Sequence, residues 1–221
     1  KSLTKVTLLS PVTSIGEDIF DNCPSLKQIL VTSSMTSFTD FQFQDHPEID
    51  KITVIPCEEK IIANYEDTFI IQKSDSKSEN YDTLVLFKPK LDIVNIPPFV
   101  KTIGKSIFYS QKLIKEIIIP SSVTSIEDYA FEGCSSLTQM TLPSSVTSIG
   151  NYVFSKCSSL TKVTFLSSLT SIGIHLFAKC SSLKEISIPS SFTLFCEFYL
   201  DESPLLDKIT VIPCEEKIIT N

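Results

Sequence analysis

CSSLTQMTLPSSVTSIGNYVFSK occupies residues 134–156, and CSSLTKVTFLSSLTSIGIHLFAK follows it directly at residues 157–179. The two blocks have the same length, and 14 of their positions are identical. Self-similarity at a fixed period of about 20–50 residues is typical of proteins built from stacked repeats. The sequence therefore predicts a solenoid in which each block forms one coil.

The same block recurs along the chain, with its first apolar residue at regular positions. These unit starts are Leu3, Leu26, Ile49, Leu91, Ile114, Leu137, Leu160, Leu183 and Leu206. Every step equals the length of one block except the step of 42 from Ile49 to Leu91. Residues 207–221 almost repeat residues 50–64, so the last unit is expected to be truncated here and to continue in the parent protein. We therefore predict one solenoid domain over residues 1–221.

The first half of each unit alternates apolar and polar residues. In the unit that begins at Leu137, Met140 and Leu142 are apolar, whereas Gln139 and Thr141 are polar. Alternation of this kind predicts a strand with one buried face. Proline cannot donate to a neighbouring strand and therefore ends a strand of this kind. The prolines at this place in the unit are Pro97, Pro120, Pro143 and Pro189.

The second half of each unit carries a second short strand and a turn. The V-T-S-I piece forms the strand, and the F-x-x-C piece predicts a short helical or 3-10 turn with its phenylalanine pointing inward. Leu137, Ile149 and Phe154 are expected to face one interior. Because one unit has too few apolar side chains for its own core, neighbouring coils must stack. The prediction is a β-rich, right-handed repeat solenoid with short helical turns and a 23-residue period.

Residues 63–90 interrupt the regular repeat. FII at 69–71 and LVLF at 84–87 enclose a polar loop, and two apolar segments around a polar loop predict a β-hairpin. This insertion is expected to grow out of the solenoid wall and to be a solvated loop.

Composition and charge exclude several classes of function. The chain has 221 residues, 42% of them hydrophobic, and a net charge of −7. An acidic balance opposes binding to nucleic acid, which requires concentrated Lys and Arg, and it disfavours binding to anionic membranes. No segment approaches the roughly 18 apolar residues of a membrane span. We therefore expect no nucleic-acid partner and no direct membrane insertion of this segment.

Catalytic, cofactor and metal sites are not predicted. The two histidines, His46 and His175, stand at different places in distant units and lack a nucleophile or carboxylate at a recognisable spacing. The recurrent glycine stands where Glu127 and Thr39 occur in other units, so that position is expected to be a turn that tolerates a side chain. Its members are Gly16, Gly104, Gly150 and Gly173.

The seven cysteines are an odd number, so at least one thiol has no partner within the chain. Cys134, Cys157 and Cys180 fall in one column, where parallel side chains suit neither tetrahedral metal binding nor a relaxed disulfide. They are predicted to be reduced, buried thiols, whereas Cys57 and Cys214 are expected to be more exposed.

The recurrent Ser and Thr residues are expected to form hydroxyl ladders along an edge of the solenoid.

The segment from Pro143 to Cys157, PSSVTSIGNYVFSKC, follows a half-unit that fits the pattern L-x-x-L-x-L. This combination resembles the BspA-like leucine-rich repeat family of bacterial and protozoan surface proteins. Its Ser-, Thr- and Ile-rich composition is closer to that of the protozoan members. The resemblance implies a leucine-rich-repeat solenoid and a non-enzymatic, cell-surface or secreted protein that adheres to host matrix or cells. The alternative is an intracellular, cytoplasmic scaffold, which the odd thiol and the absence of an N-x-S/T sequon favour.

A protein partner is expected to dock on the outward positions of the first strands. If successive strands form one continuous sheet, their outward side chains fall into rows that make a rigid surface. The candidate residues are Glu116, Ile118, Gln139, Thr141, Lys162, Thr164, Glu185 and Ser187. The loop from Lys73 to Asn80 in the insertion is the alternative docking site.

Overall fold

The structure is a computed structural model of the 221-residue chain. It describes residues 2–9, 12, 14, 19–20, 22–35, 49, 51–56, 62–65, 68–73, 77, 79–87, 91–167, 169–191 and 204–213. The described strands, in chain order, are β1 (Lys5–Leu8), β2 (Gln28–Thr32), β3 (Lys51–Ile55), β4 (Ile62–Tyr65), β5 (Phe69–Gln72), β6 (Thr83–Phe87), β7 (Ile93–Asn95), β8 (Thr102–Ile103), β9 (Glu116–Ile118), β10 (Ser125–Ile126), β11 (Gln139–Leu142), β12 (Ser148–Ile149), β13 (Lys162–Phe165), β14 (Ser171–Ile172), β15 (Glu185–Pro189) and β16 (Lys208–Ile212).

The first strands of successive coils pair in parallel and in the register that the repeat requires. Gln139 pairs with Lys162, and Lys162 pairs with Glu185, each partner lying one repeat period further along the chain. These strands form the first wall, which consists of the sheets β1-β2-β3, β7-β9 and β11-β13-β15-β16. The predicted repeat solenoid with a 23-residue period is confirmed.

The second short strands of the coils, β8, β10, β12 and β14, form the second wall together with β4, β5 and β6, in a single sheet of the order β14-β12-β10-β8-β6-β5-β4. Hydroxyl ladders run along it, as predicted. The Thr170 hydroxyl donates to the Thr147 carbonyl oxygen at 3.0 Å, and the Thr147 hydroxyl donates to the Thr124 carbonyl oxygen at 3.3 Å. These hydroxyls therefore bind the coils to one another.

The strands of the insertion lie within the second wall and do not grow out of it. β5 pairs with β4 and β6 in antiparallel fashion, and β6 then pairs with β8 of the next coil. The rings of Phe69 and Phe87 lie 5.6 Å apart, and both side chains are buried, as is Leu84. Because these apolar side chains complete the core, the strands that carry them must remain in the wall.

The third side of the coil, the turn wall, is not helical, which corrects the predicted helical turn. It comprises the turn residues 105–110, 128–133, 151–156 and 174–179. The N–H groups of Tyr129 and Phe131 donate to carbonyl oxygens of the next coil, at 2.9 and 3.1 Å. A helix would use those N–H groups internally. In addition, Tyr152 and Lys156 have φ angles of 56° and 58°, which a right-handed helix does not accommodate.

The described core falls into two clusters, and in the larger one a column of side chains continues from coil to coil. Phe131 stacks between Phe108 and Phe154, with ring centroids 5.4 and 5.6 Å apart. These rings have no exposed surface, and Leu137 and Ile149 are buried in the same cluster. The predicted shared interior of Leu137, Ile149 and Phe154 is therefore confirmed.

At Gly150 and Gly173 the stacked coils leave no room for a side chain, although Glu127 in the same column carries one, so the predicted tolerance does not extend to these glycines. A Cβ atom on Gly150 would lie 2.5 Å from the Asp128 backbone nitrogen and 2.7 Å from the Glu127 carbonyl carbon. A Cβ atom on Gly173 would overlap the backbone of Gly150. The φ angles here are not in the left-handed region, so the requirement is one of space between coils and not of backbone torsion.

Candidate functional site

The predicted docking face lies on the first wall, and the structure divides it in two. Gln139, Lys162 and Glu185 are neighbours in one row of the sheet β11-β13-β15-β16. Thr141, Thr164 and Ser187 form the adjacent row of that sheet. Glu116 and Ile118 lie on β9, which belongs to the separate sheet β7-β9.

The expectation of one continuous first-wall sheet is therefore wrong. No ladder joins β9 to β11, although all residues from 91 to 167 are described. We call this boundary the ladder break. The same two coils remain paired on the second wall, where Ser125 pairs with Ser148, and on the turn wall, where Phe131 N–H donates to Val153. The repeat sets which residues face each other, but it does not set how far apart the coils stand on each wall.

Ser187 also departs from the prediction, since it is buried. Only 3% of its surface is exposed, and its short side chain lies between Thr164 and Thr210 with its hydroxyl 3.4 Å from Glu185 Oε1. It therefore offers no accessible surface to a partner. Glu116, Ile118, Gln139 and Thr141 are exposed, and Lys162, Thr164 and Glu185 are half-buried.

On β13, β15 and β16 the charged side chains of the face form ion pairs with one another. Glu185 lies between Lys162 and Lys208, with each ammonium nitrogen 3.3 Å from one of its carboxylate oxygens. Desolvation by itself would raise the pKa of Glu185. Hydrogen bonds from Lys208, Thr210 and Lys162 outweigh that effect and hold the pKa below its usual value. The ionised carboxylate therefore stabilises the fold above its unfolded pKa, and that contribution is lost as the pH falls through the folded pKa.

At the ladder break the face is concave and more apolar. A hollow of about 750 Å³ opens there between the coils. Its lining is Asp92, Ile93, Lys115, Glu116, Ile117, Ile118, Ile119, Thr138, Gln139, Thr141, Pro143 and Leu166. Four of the predicted face residues therefore contribute to one hollow.

Two apolar residues that the sequence reasoning missed, Ile93 and Leu166, complete this hollow beside the predicted Ile118. Ile93, Ile118 and Leu166 are 47%, 48% and 48% exposed, which is unusual for such side chains when they cluster. A signal existed in the sequence, because Leu166 stands where other units carry the strand-ending proline. Ile93 likewise occupies an outward position that is polar in the units of Gln139 and Lys162.

The predicted thiol column forms inside the turn wall. Cys134, Cys157 and Cys180 are free and fully buried. The Sγ atoms of Cys134 and Cys157 donate to the carbonyl oxygens of Phe108 and Phe131 at 3.1 and 3.2 Å. Burial raises the pKa of Cys134 and of Cys180 to about 12, and it raises the pKa of Cys157 well above its usual range. Thiolate chemistry is therefore suppressed at these positions.

We expect Cys134, Cys157 and Cys180 to resist alkylation by iodoacetamide at pH 8 until the chain is unfolded in urea. The reason is that the thiolate is the nucleophile and the folded protein holds these groups as buried thiols. Mass spectrometry of labelled peptides measures the effect, with the half-buried Cys23 as the faster-reacting control. Labelling of the column at the rate of Cys23, or a disulfide within it, would contradict the expectation. Cys57 and Cys214, which the sequence predicts to be more exposed, lie outside the described residues.

No arrangement for catalysis or metal binding emerges from the described ranges. No group of three or more His, Cys, Asp or Glu residues among them is placed to hold a metal ion. His175 stacks on the Tyr152 ring with centroids 5.0 Å apart, and His46 lies outside the described residues. In the same ranges we find no helix of the length and apolarity needed to cross a membrane.

Solved structures with the same fold come from bacteria. A leucine-rich repeat protein from Eubacterium ventriosum shares 25% identity at a TM-score of 0.75, over 96% of this chain and 55% of its own. A leucine rich cell surface protein from Faecalibacterium prausnitzii shares 24% identity at a TM-score of 0.73, over 96% of this chain and 61% of its own. The pneumococcal vaccine antigen PcpA shares 21% identity at a TM-score of 0.54, over 95% and 51%.

The chain spans less than two thirds of the length of each of these relatives. No curated protein matches it. The family model for the BspA type leucine rich repeat region, present in six copies, matches residues 1–77 and 86–220. Because that model covers nearly the whole chain, and the stacked coils described above have the architecture of such repeats, the chain belongs to the BspA-type leucine-rich repeat family.

Proposed function

We propose that this chain is the protein-binding module of a cell-surface or secreted protein and that it adheres to host or matrix proteins through the first wall. The observation that carries the proposal is the hollow at the ladder break. There Ile93, Ile118 and Leu166 present exposed apolar surface inside a polar rim that includes Glu116 and Gln139. Apolar anchors within a polar rim are typical of protein–protein interfaces.

The relatives support both the protein-binding role and the surface location of this proposal. Leucine-rich repeats typically mediate protein interactions. The Faecalibacterium relative is described as a cell surface protein and the pneumococcal relative as a vaccine antigen. Their descriptions favour a surface location over the cytoplasmic scaffold. The proposed role requires no catalytic group.

The electrostatics of the first wall favour a protein partner of mixed polarity. The net charge of the chain is −7, and the row of Lys162, Glu185 and Lys208 is already paired internally. A paired row presents both signs of charge at fixed positions, which confers orientation and specificity more than affinity.

The proposal is tested by biolayer interferometry of the chain against immobilised fibronectin, laminin and collagen. Exchanging the charges with the double variant Lys162→Glu/Glu185→Lys is expected to weaken binding about tenfold. The exchange keeps opposite charges at the two positions but also places a lysine beside Lys208 and removes the bond from Thr210, so a small fall in melting temperature is expected while the chain stays folded. The matched control is Lys105→Glu/Glu127→Lys, an exchange of two exposed charges away from the first wall.

Equal binding by the two double variants would show that the first wall is not the docking face. If binding instead disappears when residues 73–80 are deleted, the site belongs to the insertion.

Location is tested with antibodies to the module applied to intact and to permeabilised cells of the source organism. Staining only after permeabilisation would establish the intracellular scaffold in place of the surface protein.

A further inference from the structure

We infer that the ladder break is a docking slot for an extended segment of the partner protein, which pairs through its backbone with the free edges of β9 and β11. The inference rests on the proposed function and specifies the chemistry of the partner. It follows from the unpaired strand edges, from the exposure of a core position, and from the side chains around the hollow.

The strand edges that face the ladder break are not used by the protein itself. β9 pairs with β7 on one side, and β11 pairs with β13 on the other. Their facing edges carry no ladder, although the same coils are bonded to each other on the two remaining walls. A strand edge with free N–H and carbonyl groups is a template for another extended chain.

The ladder break also opens the core at one position. Ile119 occupies the inward place that Leu142, Phe165 and Ile188 occupy in the next three coils. Those three side chains are fully buried, whereas Ile119 is half-buried and lines the hollow. An inward-pointing apolar side chain of the docked segment would cover the exposed part of Ile119.

The side chains around the hollow indicate which sequence fits. Ile93, Ile118 and Leu166 supply exposed apolar surface. Glu116 is exposed and forms no ion pair with any described residue. A matching segment therefore alternates apolar with polar residues and carries Lys or Arg in the row of Glu116.

The geometry of docking follows from the spacing of strands. Neighbouring strands lie about 4.8 Å apart, so a segment inserted between β9 and β11 needs about twice that separation. Cα atoms of β9 and β11 lie within 8 Å of one another, so the docked segment would have to widen the coils on the first wall. The ladder of the second wall and the hydrogen bonds of the turn wall would still hold the coils together. Binding therefore involves a local opening of one wall.

The test uses a synthetic peptide with the sequence of residues 161–166, TKVTFL, acetylated and amidated at its ends. This sequence already forms a strand of the first wall, and its lysine falls in the row of Glu116. We expect binding by isothermal titration calorimetry. Because successive N–H groups of a strand point to opposite edges, N-methylation of the valine and phenylalanine, or of the lysine and second threonine, blocks one edge at a time. Because the segment pairs along both edges, each of these two methylated peptides should bind about tenfold more weakly than the parent or not at all.

Ile118→Asp is expected to weaken peptide binding about tenfold, whereas Ile174→Asp should leave it unchanged. Ile174 is a matched control because it is also an exposed isoleucine, but it lies on the turn wall. Aspartate already occurs at the same place in the repeat two coils earlier, as Asp128, so the substitution is expected to be tolerated. Hydrogen exchange should show new protection at residues 116–119 and 139–142 with bound peptide. Absence of binding at about 1 mM peptide, or an affinity of either methylated peptide equal to that of the parent, would overturn the inference.

The outcomes for the slot and for the proposed function are separable. If a matrix protein binds but the peptide neither binds nor competes, the slot is wrong and the proposed function stands. If the peptide binds with the edge-dependent effect of methylation but no matrix protein binds, the slot stands and the proposed function is wrong. A dimer in sedimentation that Ile118→Asp dissociates would assign the slot to a second copy of this chain and overturn the assignment to a partner protein.

Discussion

Replacing Phe131 by alanine is expected to lower the free energy of unfolding by about 3–5 kcal/mol. The ring is fully buried and stacks between Phe108 and Phe154 at centroid distances of 5.4 and 5.6 Å. Its removal takes apolar surface out of the core and leaves a cavity that the flanking coils cannot close, because the backbone of each is hydrogen-bonded to the coil that carries Phe131. The two stacked ring pairs are lost as well.

The effect of Phe131→Ala is measured by urea denaturation followed by circular dichroism, with the m-value checked for a change in cooperativity. Leu113→Ala is the control, because Leu113 is 66% exposed and its truncation should change the unfolding free energy by no more than about 0.5 kcal/mol. Equal stability of the two variants would show that the phenylalanine column does not hold the coils together. In a solenoid each coil contacts only its neighbours, so hydrogen exchange should rise most in the two coils beside residue 131.

Replacing Gly150 by valine is expected to cost about 3 kcal/mol, at the upper end of the range for overpacked sites. The new Cβ atom would meet the backbone nitrogen of Asp128 at 2.5 Å and the carbonyl carbon of Glu127 at 2.7 Å. Both atoms belong to backbone that is fixed by hydrogen bonds between coils, including Gly150 N–H to the Ile126 carbonyl oxygen at 2.8 Å. The clash therefore cannot be relieved by rotating a side chain.

Thermal denaturation of Gly150→Val is compared with that of Glu127→Val. Glu127 occupies the same column one coil earlier and already has a side chain, so valine there should lower the unfolding free energy by less than about 1 kcal/mol. The difference between the two variants isolates the close approach of the coils at Gly150. A melting temperature for Gly150→Val equal to that for Glu127→Val would show that the coils are not as closely stacked at this point as the structure indicates.

The wrong expectations share one cause, which the glycine column illustrates. From the sequence, Glu127 in this column indicated that any side chain fits there. In the structure, the space at Gly150 depends on the distance to Asp128 in the preceding coil, which no property of the column itself reveals. The helical turn failed in the same way, because Tyr129 and Phe131 donate their N–H groups to the next coil instead of to their own.

The sequence by itself determined the repeat, its period, the strand register and the identity of the core columns. These follow from local rules, because alternation decides which side of a strand is buried, and a strict period places Gln139 beside Lys162 and Phe131 beside Phe154. Only the tertiary structure decided the spacing of the coils on each wall, and with it the ladder break, the exposure of Ile119 and the burial of Ser187. That spacing depends on how side chains pack on all three walls at once. The repeat period specifies which residues are neighbours but not how closely their coils pack.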